Sequence, residues 1–445
     1  MTREWLVIEP PDSSARLSAC DGLAGQAGGD LTAVRWVEAC LDRIAARDPL
    51  IRAWTHLDPE RARAAAHDTD RSAPGSAPLR GLPIGVKDVI DVAAMPTRCN
   101  AWATDPDPVR FDAECIERVR KAGAIPVGKT VTTEFAFTEP GPTVNPHDTR
   151  RTPGGSSSGS AAAVADFHVP VALTTQTGGS TIRPAAYCGV VGYKPPFGHV
   201  PTRGLHYLAP SMDHIGLHAR SVADIARVAT VLEARTRPAD PQAPLRLVRL
   251  ALPAGVACQP QVQSLIDRAC DRLAASGIEI LQQAPLEEFD RIDDAHRVLM
   301  AAEVARTLSR WSAEALASFS ESLRSFIAKG QAATEDDLAY ARARVARIAQ
   351  RLYPFAEAGA LLIGPATLET APLGIRSTGN ALLNRPWSLL GLGAITIPAG
   401  VAEDGLPVGL QIVDPHPSAD RLFPTARFVE NVLSTRTVPH QEDMT

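Results

Sequence analysis

Residues 169–195 read VPVALTTQTGGSTIRPAAYCGVVGYKP. Val169–Thr175 is an apolar, β-branched run of strand character, Thr177-Gly178-Gly179-Ser180 is a glycine turn, and GVVGYKP is a second strand-like run. The same texture spreads outward through LPIGVKDVIDV (82–92) and GAIPVGKTVTT (123–133), with helical stretches between several of these runs. From 82 to 232 this alternation predicts an α/β fold, a sheet covered by helices on both faces. Upstream, Leu31, Val34, Val37, Cys40, Leu41 and Ile44 recur at spacings of three and four, and residues 31–70 read as two helices. RSAPGSAP (71–78) reads as a linker and RTRPADPQAPL (235–245) as a loop. A strand-like LRLVRLALP (245–253) and a helical region from about 260 to 358 follow. ALLIGPA (360–366), GLGAITIPAG (391–400) and LPVGLQIVDP (406–415) return to strand character. The simplest organisation is a single domain in four stretches: an N-terminal helical segment (1–75), a core bearing the motifs (76–235), a variable, mainly helical region (236–380) and a C-terminal part of the core (381–445).

Composition narrows the function. The 445 residues are 45% hydrophobic and 21% charged, which excludes a largely disordered chain. A net charge of −5 leaves no cationic excess for phosphates, so nucleic acid is not expected as the primary partner. There is no run of 18 apolar residues, and MTREWLVIEPPDSS lacks a basic segment leading into an apolar one, so neither a membrane span nor a signal peptide is expected. The seven cysteines are scattered without a C-x-x-C pair, which fits a reducing cytoplasm. The eleven histidines lack H-E-x-x-H spacing, and no metal site is expected. Only five lysines occur, so one in an unusual place stands out.

Three motifs compete for the chemistry. Gly123–Thr130 satisfies the phosphate-loop pattern G-x-x-x-x-G-K-[ST]. That cradle needs a strand before the first glycine and a helix opening at Lys129-Thr130. Here the helical stripe (Cys115, Ile116, Val119, Ala122) comes first, Gly123 is placed as its C-cap, and the strand Ala124–Val127 falls inside the supposed loop. Gly155–Gly159 satisfies G-x-S-x-G, yet a polar, Pro-containing loop precedes it where a nucleophile elbow needs an apolar strand. The third reading joins three features. Lys87 lies in the apolar run Leu82–Ile90, where alternation puts Gly85, Lys87 and Val89 on one face; in isolation it reads as a lysine snorkelling from an edge strand. A serine cluster, Gly154–Ser160, runs into an alanine-rich helix start. The glycines before Ser180 let consecutive amides converge on one point, as an oxyanion hole requires; alone they read as a β-turn.

Together, GVKD (85–88), PGGSSSGSAAAVA (153–165) and TQTGGSTIRPAAYCGVVGYKP (175–195) resemble the amidase signature family of serine hydrolases. The resemblance is dense from 81 to 232, returns over 391–413, and by motif is absent from 240 to 380. It implies a large mixed, twisted β-sheet flanked by helices and a Ser–cis-Ser–Lys triad. In that triad Ser180 is the nucleophile, Ser156 the bridging serine and Lys87 the base; Ser156 lies 24 residues before Ser180, with Ser157 and Ser158 as neighbouring alternatives. It also implies an oxyanion hole from the amides of Thr177, Gly178, Gly179 and Ser180, and no metal or organic cofactor. Two departures stand out: Gln176 replaces a common Asp, and arginine falls three residues after the nucleophile, at Arg183, in place of two. The variant is similar to a malonamidase-like branch whose matching arginine holds a substrate carboxylate. Arg183 either does this or ties its loop to a carbonyl or acidic side chain; Gln176 and Ser157 join it as candidate substrate-binding residues, while Asp213 and Tyr193-Lys194-Pro195 read as architecture. The expected activity is hydrolysis of a small carboxamide, carbamate or aryl amide by a stand-alone enzyme. The alternatives are the ammonia-releasing glutaminase component of a tRNA-dependent amidotransferase, which needs a partner chain, and a nucleotide-binding protein. A homodimer stays open.

Overall fold

The computed structural model describes residues 13–72, 77–234, 246–286 and 291–434. The predicted loop 235–245 and half of the predicted linker 71–78 lie outside them. Eleven strands form one sheet: β1 (Trp54–Leu57), β2 (Pro83–Lys87), β3 (Ile125–Thr130), β4 (Val171–Gln176), β5 (Val191–Lys194), β6 (His214–Ala219), β7 (Arg246–Leu250), β8 (Glu279–Gln283), β9 (Leu361–Pro365), β10 (Gly393–Val401) and β11 (Pro407–Asp414). Their spatial order is β1-β3-β2-β4-β6-β5-β10-β11-β9-β7-β8. The sheet is mixed: β2 runs parallel to β3 and β4, whereas β4–β6, β5–β6 and β10–β11 are antiparallel. All four stretches of the chain contribute strands to it.

The helices of the first half are α1 (Ala19–Gly28), α2 (Ala33–Ile51), α3 (Pro59–Arg71), α4 (Glu114–Lys121), α5 (Ser158–Ala165), α6 (Ile182–Cys188) and α7 (Val222–Glu233). Those of the second are α8 (Pro260–Ala275), α9 (Ile292–Leu308), α10 (Ala313–Ser318), α11 (Glu321–Ala332), α12 (Glu335–Glu357), α13 (Arg385–Leu389) and α14 (Leu422–Ser434). Alternation along the strands sorts side chains to two covered faces. Ile84, Val86, Val171 and Leu173 enter one apolar cluster with α4, α7 and α14, whereas Ala172, Ile125 and Val127 enter another with α2, α3 and α5.

Three expectations need correction. A strand, β1, interrupts the two helices read over 31–70: Trp54–Leu57 completes the sheet by pairing antiparallel with β3. A second strand, β8, lies inside the region read as helical and pairs parallel with β7. Val89 does not share a face with Lys87, because β2 ends at Lys87 and the amides of Val89 and Ile90 turn back to its carbonyl, placing Val89 in the cluster of Ile84 and Val86. The phosphate-loop pattern is a strand preceded by a helix, in the order read from the sequence: Lys129 and Thr130 close β3, and buried Lys129 pairs with buried Asp88 at 3.0 Å. No helix opens there, so the amides needed to cradle a phosphate are spent on the sheet.

Candidate active site

Parallel strands β2 and β4 bring their C-terminal ends together, and with them Lys87, Thr175, Gln176 and the loop Thr177–Ser180. β2 is hydrogen-bonded on both sides, so Lys87 is an interior lysine and not the edge residue of the isolated reading. Its side chain is 0% exposed. Nζ donates to Ser156 Oγ at 2.7 Å and to Thr175 Oγ1 at 2.8 Å. Burial pushes the lysine well below its ordinary range, opposed by the negative charge of Asp213.

Ser156 sits just before α5, and the Gly155–Ser156 peptide is cis. Of the three neighbouring serines, it is Ser156 that meets Lys87; Ser157 Oγ donates to the Thr175 carbonyl (3.2 Å) and Ser158 Oγ to that of Val131 (3.3 Å). The Ser157 amide donates to the Ser180 carbonyl at 3.2 Å, which sets the two serine loops side by side. Among the described residues the Ser180 hydroxyl makes no hydrogen bond, and neither do the amides of Gly178, Gly179 and Ser180.

The glycine loop is held from behind. His296 Nε2 on α9 donates to the Thr177 carbonyl at 3.0 Å, and Ser388 Oγ on α13 donates to the Gly178 carbonyl at 2.9 Å. The Arg183 amide donates to the Gly179 carbonyl at 3.0 Å. A side chain at Gly179 would stand 2.6 Å from Asn384 Oδ1, so the loop packs closely only because that position has no Cβ. Buried Asp213 takes Thr177 Oγ1 at 2.5 Å and the amides of Leu208 and Ala209; burial raises its carboxyl to about 6.

The remaining sequence candidates have internal tasks. Gln176 Oε1 accepts the amides of Thr181 and Ile182 at 2.9 and 3.0 Å, capping α6, while its Nε2 donates to Ser388. Arg183 Nη2 donates to the Gly155 carbonyl (2.6 Å) and to Thr378 Oγ1 (3.0 Å), whereas its Nε has no partner. Burial lowers the guanidinium to about 10. His296, Thr378, Asn384 and Ser388 leave no signal in the sequence, because His296 and Ser388 act on backbone carbonyls, Asn384 by shape and Thr378 on a distant side chain, and none lies in a signature motif. Among the described residues there is no cluster of three or more metal-ligating side chains, and no helix is long and apolar enough to cross a membrane.

Known proteins share this architecture. The A subunit of glutamyl-tRNA(Gln) amidotransferase from Synechococcus sp. (strain RCC307) is 33% identical over 462 residues, covering 90% of this chain and 94% of the relative. A solved structure described as an amidase superposes with a TM-score of 0.86 at 29% identity, covering 93% of this chain and 99% of that one. Native peptide amidase from Stenotrophomonas maltophilia superposes at 0.79 with 27% identity, covering 97% and 99%. The family model described as Amidase matches residues 35–422, running through the 240–380 region where the motifs alone showed no resemblance. With that match spanning most of its length, the chain belongs to the amidase signature family.

Proposed function

We propose that this chain hydrolyses carboxamide C–N bonds through an acyl-enzyme on Ser180, with Ser156 as proton relay and Lys87 as base. The observation that carries the reading is the 2.7 Å contact between the wholly buried Lys87 Nζ and Ser156 Oγ. A serine hydroxyl is a weak nucleophile until a base within hydrogen-bond reach takes its proton. A lysine serves as that base only when uncharged, and burial favours the uncharged amine. In the proposed cycle Ser180 attacks the carbonyl as its proton passes to Ser156 and that of Ser156 to Lys87. The Gly178, Gly179 and Ser180 amides receive the oxyanion, with Thr177 beside them. The C–N bond breaks as the relay returns a proton to the departing amine, and water then hydrolyses the ester. Every step is acyl or proton transfer, so no cofactor is required. The unpartnered Nε of Arg183 supports a carboxylate on the substrate, and its bond to Gly155 supports the alternative of a loop tie.

Two settings fit this chemistry. The curated sequence relatives favour the ammonia-releasing component of a tRNA-dependent amidotransferase, since the likeness runs over nine-tenths of the chain. Gln176, the shifted Arg183 and the fold likeness to peptide amidase favour a stand-alone amidase. The test is intact-mass spectrometry after a fluorophosphonate, followed by assays on glutamine, a malonamate-like half-amide and an aryl amide. A single adduct on Ser180 and hydrolysis by the chain alone are expected. Glutamine turnover appearing only with a partner chain would assign the amidotransferase setting, and an unlabelled Ser180 would overturn both.

A further inference from the structure

We infer that His296 and Ser388, supplied by helices outside the signature motifs, are positioning residues that aim the oxyanion amides; this rests on the reading of Ser180 as nucleophile. In a trans peptide the carbonyl of one residue and the N–H of the next point in opposite directions. A donor that draws a carbonyl backwards therefore turns the following N–H forwards. His296 holds the Thr177 carbonyl, which orients the Gly178 amide; Ser388 holds the Gly178 carbonyl, which orients the Gly179 amide. The Arg183 amide on the Gly179 carbonyl does the same for Ser180. Each of the three peptide planes has its own anchor, and none of the three amides so aimed has a partner among the described residues.

The protonation pattern follows from hydrogen-bond logic. A carbonyl only accepts, so His296 carries its hydrogen on Nε2, and its buried Nδ1 is left without a partner. Burial lowers this imidazole to about 4, which keeps it neutral near pH 7. Gln176 decides the Ser388 hydroxyl. Its Oε1 accepts two amides, so its NH₂ faces Ser388 and donates to Oγ at 3.0 Å. Ser388, already accepting, then spends its own hydrogen on Gly178. A carboxylate at 176 would instead take that hydrogen away. The replacement of Asp by Gln176 is thereby tied to Ser388, a pairing across 212 residues of sequence.

The test compares His296→Phe, which keeps ring volume and loses the donor, with His296→Gln, which restores a donor, and with Ser388→Ala. Each is assayed for fluorophosphonate inactivation and for 4-nitrophenyl acetate hydrolysis. Removing an oxyanion donor outright costs about 10²–10³ in kcat. Loss of an anchor is expected to cost about ten- to hundredfold in kcat and inactivation rate, with KM nearly constant and recovery in His296→Gln. A folded His296→Phe protein reacting at the wild-type rate, a loss confined to KM, or a His296→Gln protein no faster than His296→Phe would overturn the inference. If His296→Phe does not fold, Ser388→Ala decides, and a wild-type rate there overturns it. Wild-type protein unlabelled at Ser180 would instead overturn the parent reading, and this inference with it.

Discussion

Replacing Lys87 with methionine sets stability against activity, and the two are expected to move in opposite directions. An unfolded lysine titrates near 10.4, and holding its amine neutral costs about 1.4 kcal/mol for every pH step of one below that value. A Lys87 held uncharged near pH 7, as the proposed base role requires, would therefore cost about 4–5 kcal/mol. Lys87→Met removes that cost, fills similar space, and strips a donor from Ser156 Oγ and from Thr175 Oγ1, which together costs about 2–3 kcal/mol. The net gain near pH 7 is about 2 kcal/mol, or about 2 °C in Tm for a chain of 445 residues. The sign with pH is fixed by linkage. On the proposed reading the folded wild type binds no proton at this nitrogen while the unfolded chain binds one, so wild-type stability should rise with pH up to the unfolded pKa. The variant lacks that slope. Its advantage is expected to shrink by about 1.4 kcal/mol per pH unit and to reverse at about pH 8.5. Calorimetry of both proteins between about pH 7 and 9 measures this, and kcat on the same samples is expected to fall by at least about 10²–10⁴. A variant that melts below wild type at neutral pH, with a gap that does not move with pH, would mean that Lys87 is a charged, paired lysine, and the base assignment would fail.

Other changes probe the neighbouring groups. Ser156→Ala is expected to cut turnover by orders of magnitude with the melting curve nearly unchanged; wild-type turnover would remove Ser156 from the proton route. Lys129→Met strands the buried Asp88 carboxylate and is expected to cost about 3–5 kcal/mol, while added Mg-ATP should not shift the wild-type Tm; a nucleotide-induced shift would revive the phosphate-loop pattern. Arg183→Lys should lower kcat on charged and neutral amides alike, because Nη2 holds the Gly155 carbonyl beside Ser156. A rise in KM confined to carboxylate-bearing amides would make Arg183 a substrate anchor.

The fold was legible where burial leaves a period in the sequence. β2, β4, β10 and β11 are buried throughout or for most of their length, and their apolar runs separate cleanly from the glycine turns. β1 and β8 were not legible. Trp54–Leu57 is four residues, three half-buried and one exposed, between two strong helical patterns, too short to show alternation. Glu279–Gln283 (EILQQ) is a largely exposed edge strand without a clean apolar alternation, set among Ala/Arg/Leu-rich helices. The phosphate-loop match fails for the converse reason: the four specified letters, Gly123, Gly128, Lys129 and Thr130, carry no information about whether the backbone amides point at a ligand or at the next strand.

The site divides along a physical line. Lys87, Ser156 and Ser180 could be proposed from sequence because side-chain chemistry demands those residue types and each lies in a contiguous motif. The residues that hold the glycine loop were not found, since their partners are main-chain carbonyls. A carbonyl accepts equally from an imidazole, a hydroxyl or an amide, so His296 and Ser388 carry no signature of residue type, and their distance in sequence hides the pairing. Only Gln176 left a trace, as a departure from the common Asp, and its meaning appears once the Ser388 hydroxyl that it orients is in view. A substitution at 176 is therefore expected to be tolerated only with a matching change at 388. On the inference drawn above, α9 and α13 both aim the oxyanion amides, so transplanting them from a relative that carries Asp at this position should lower kcat unless Gln176 is changed with them.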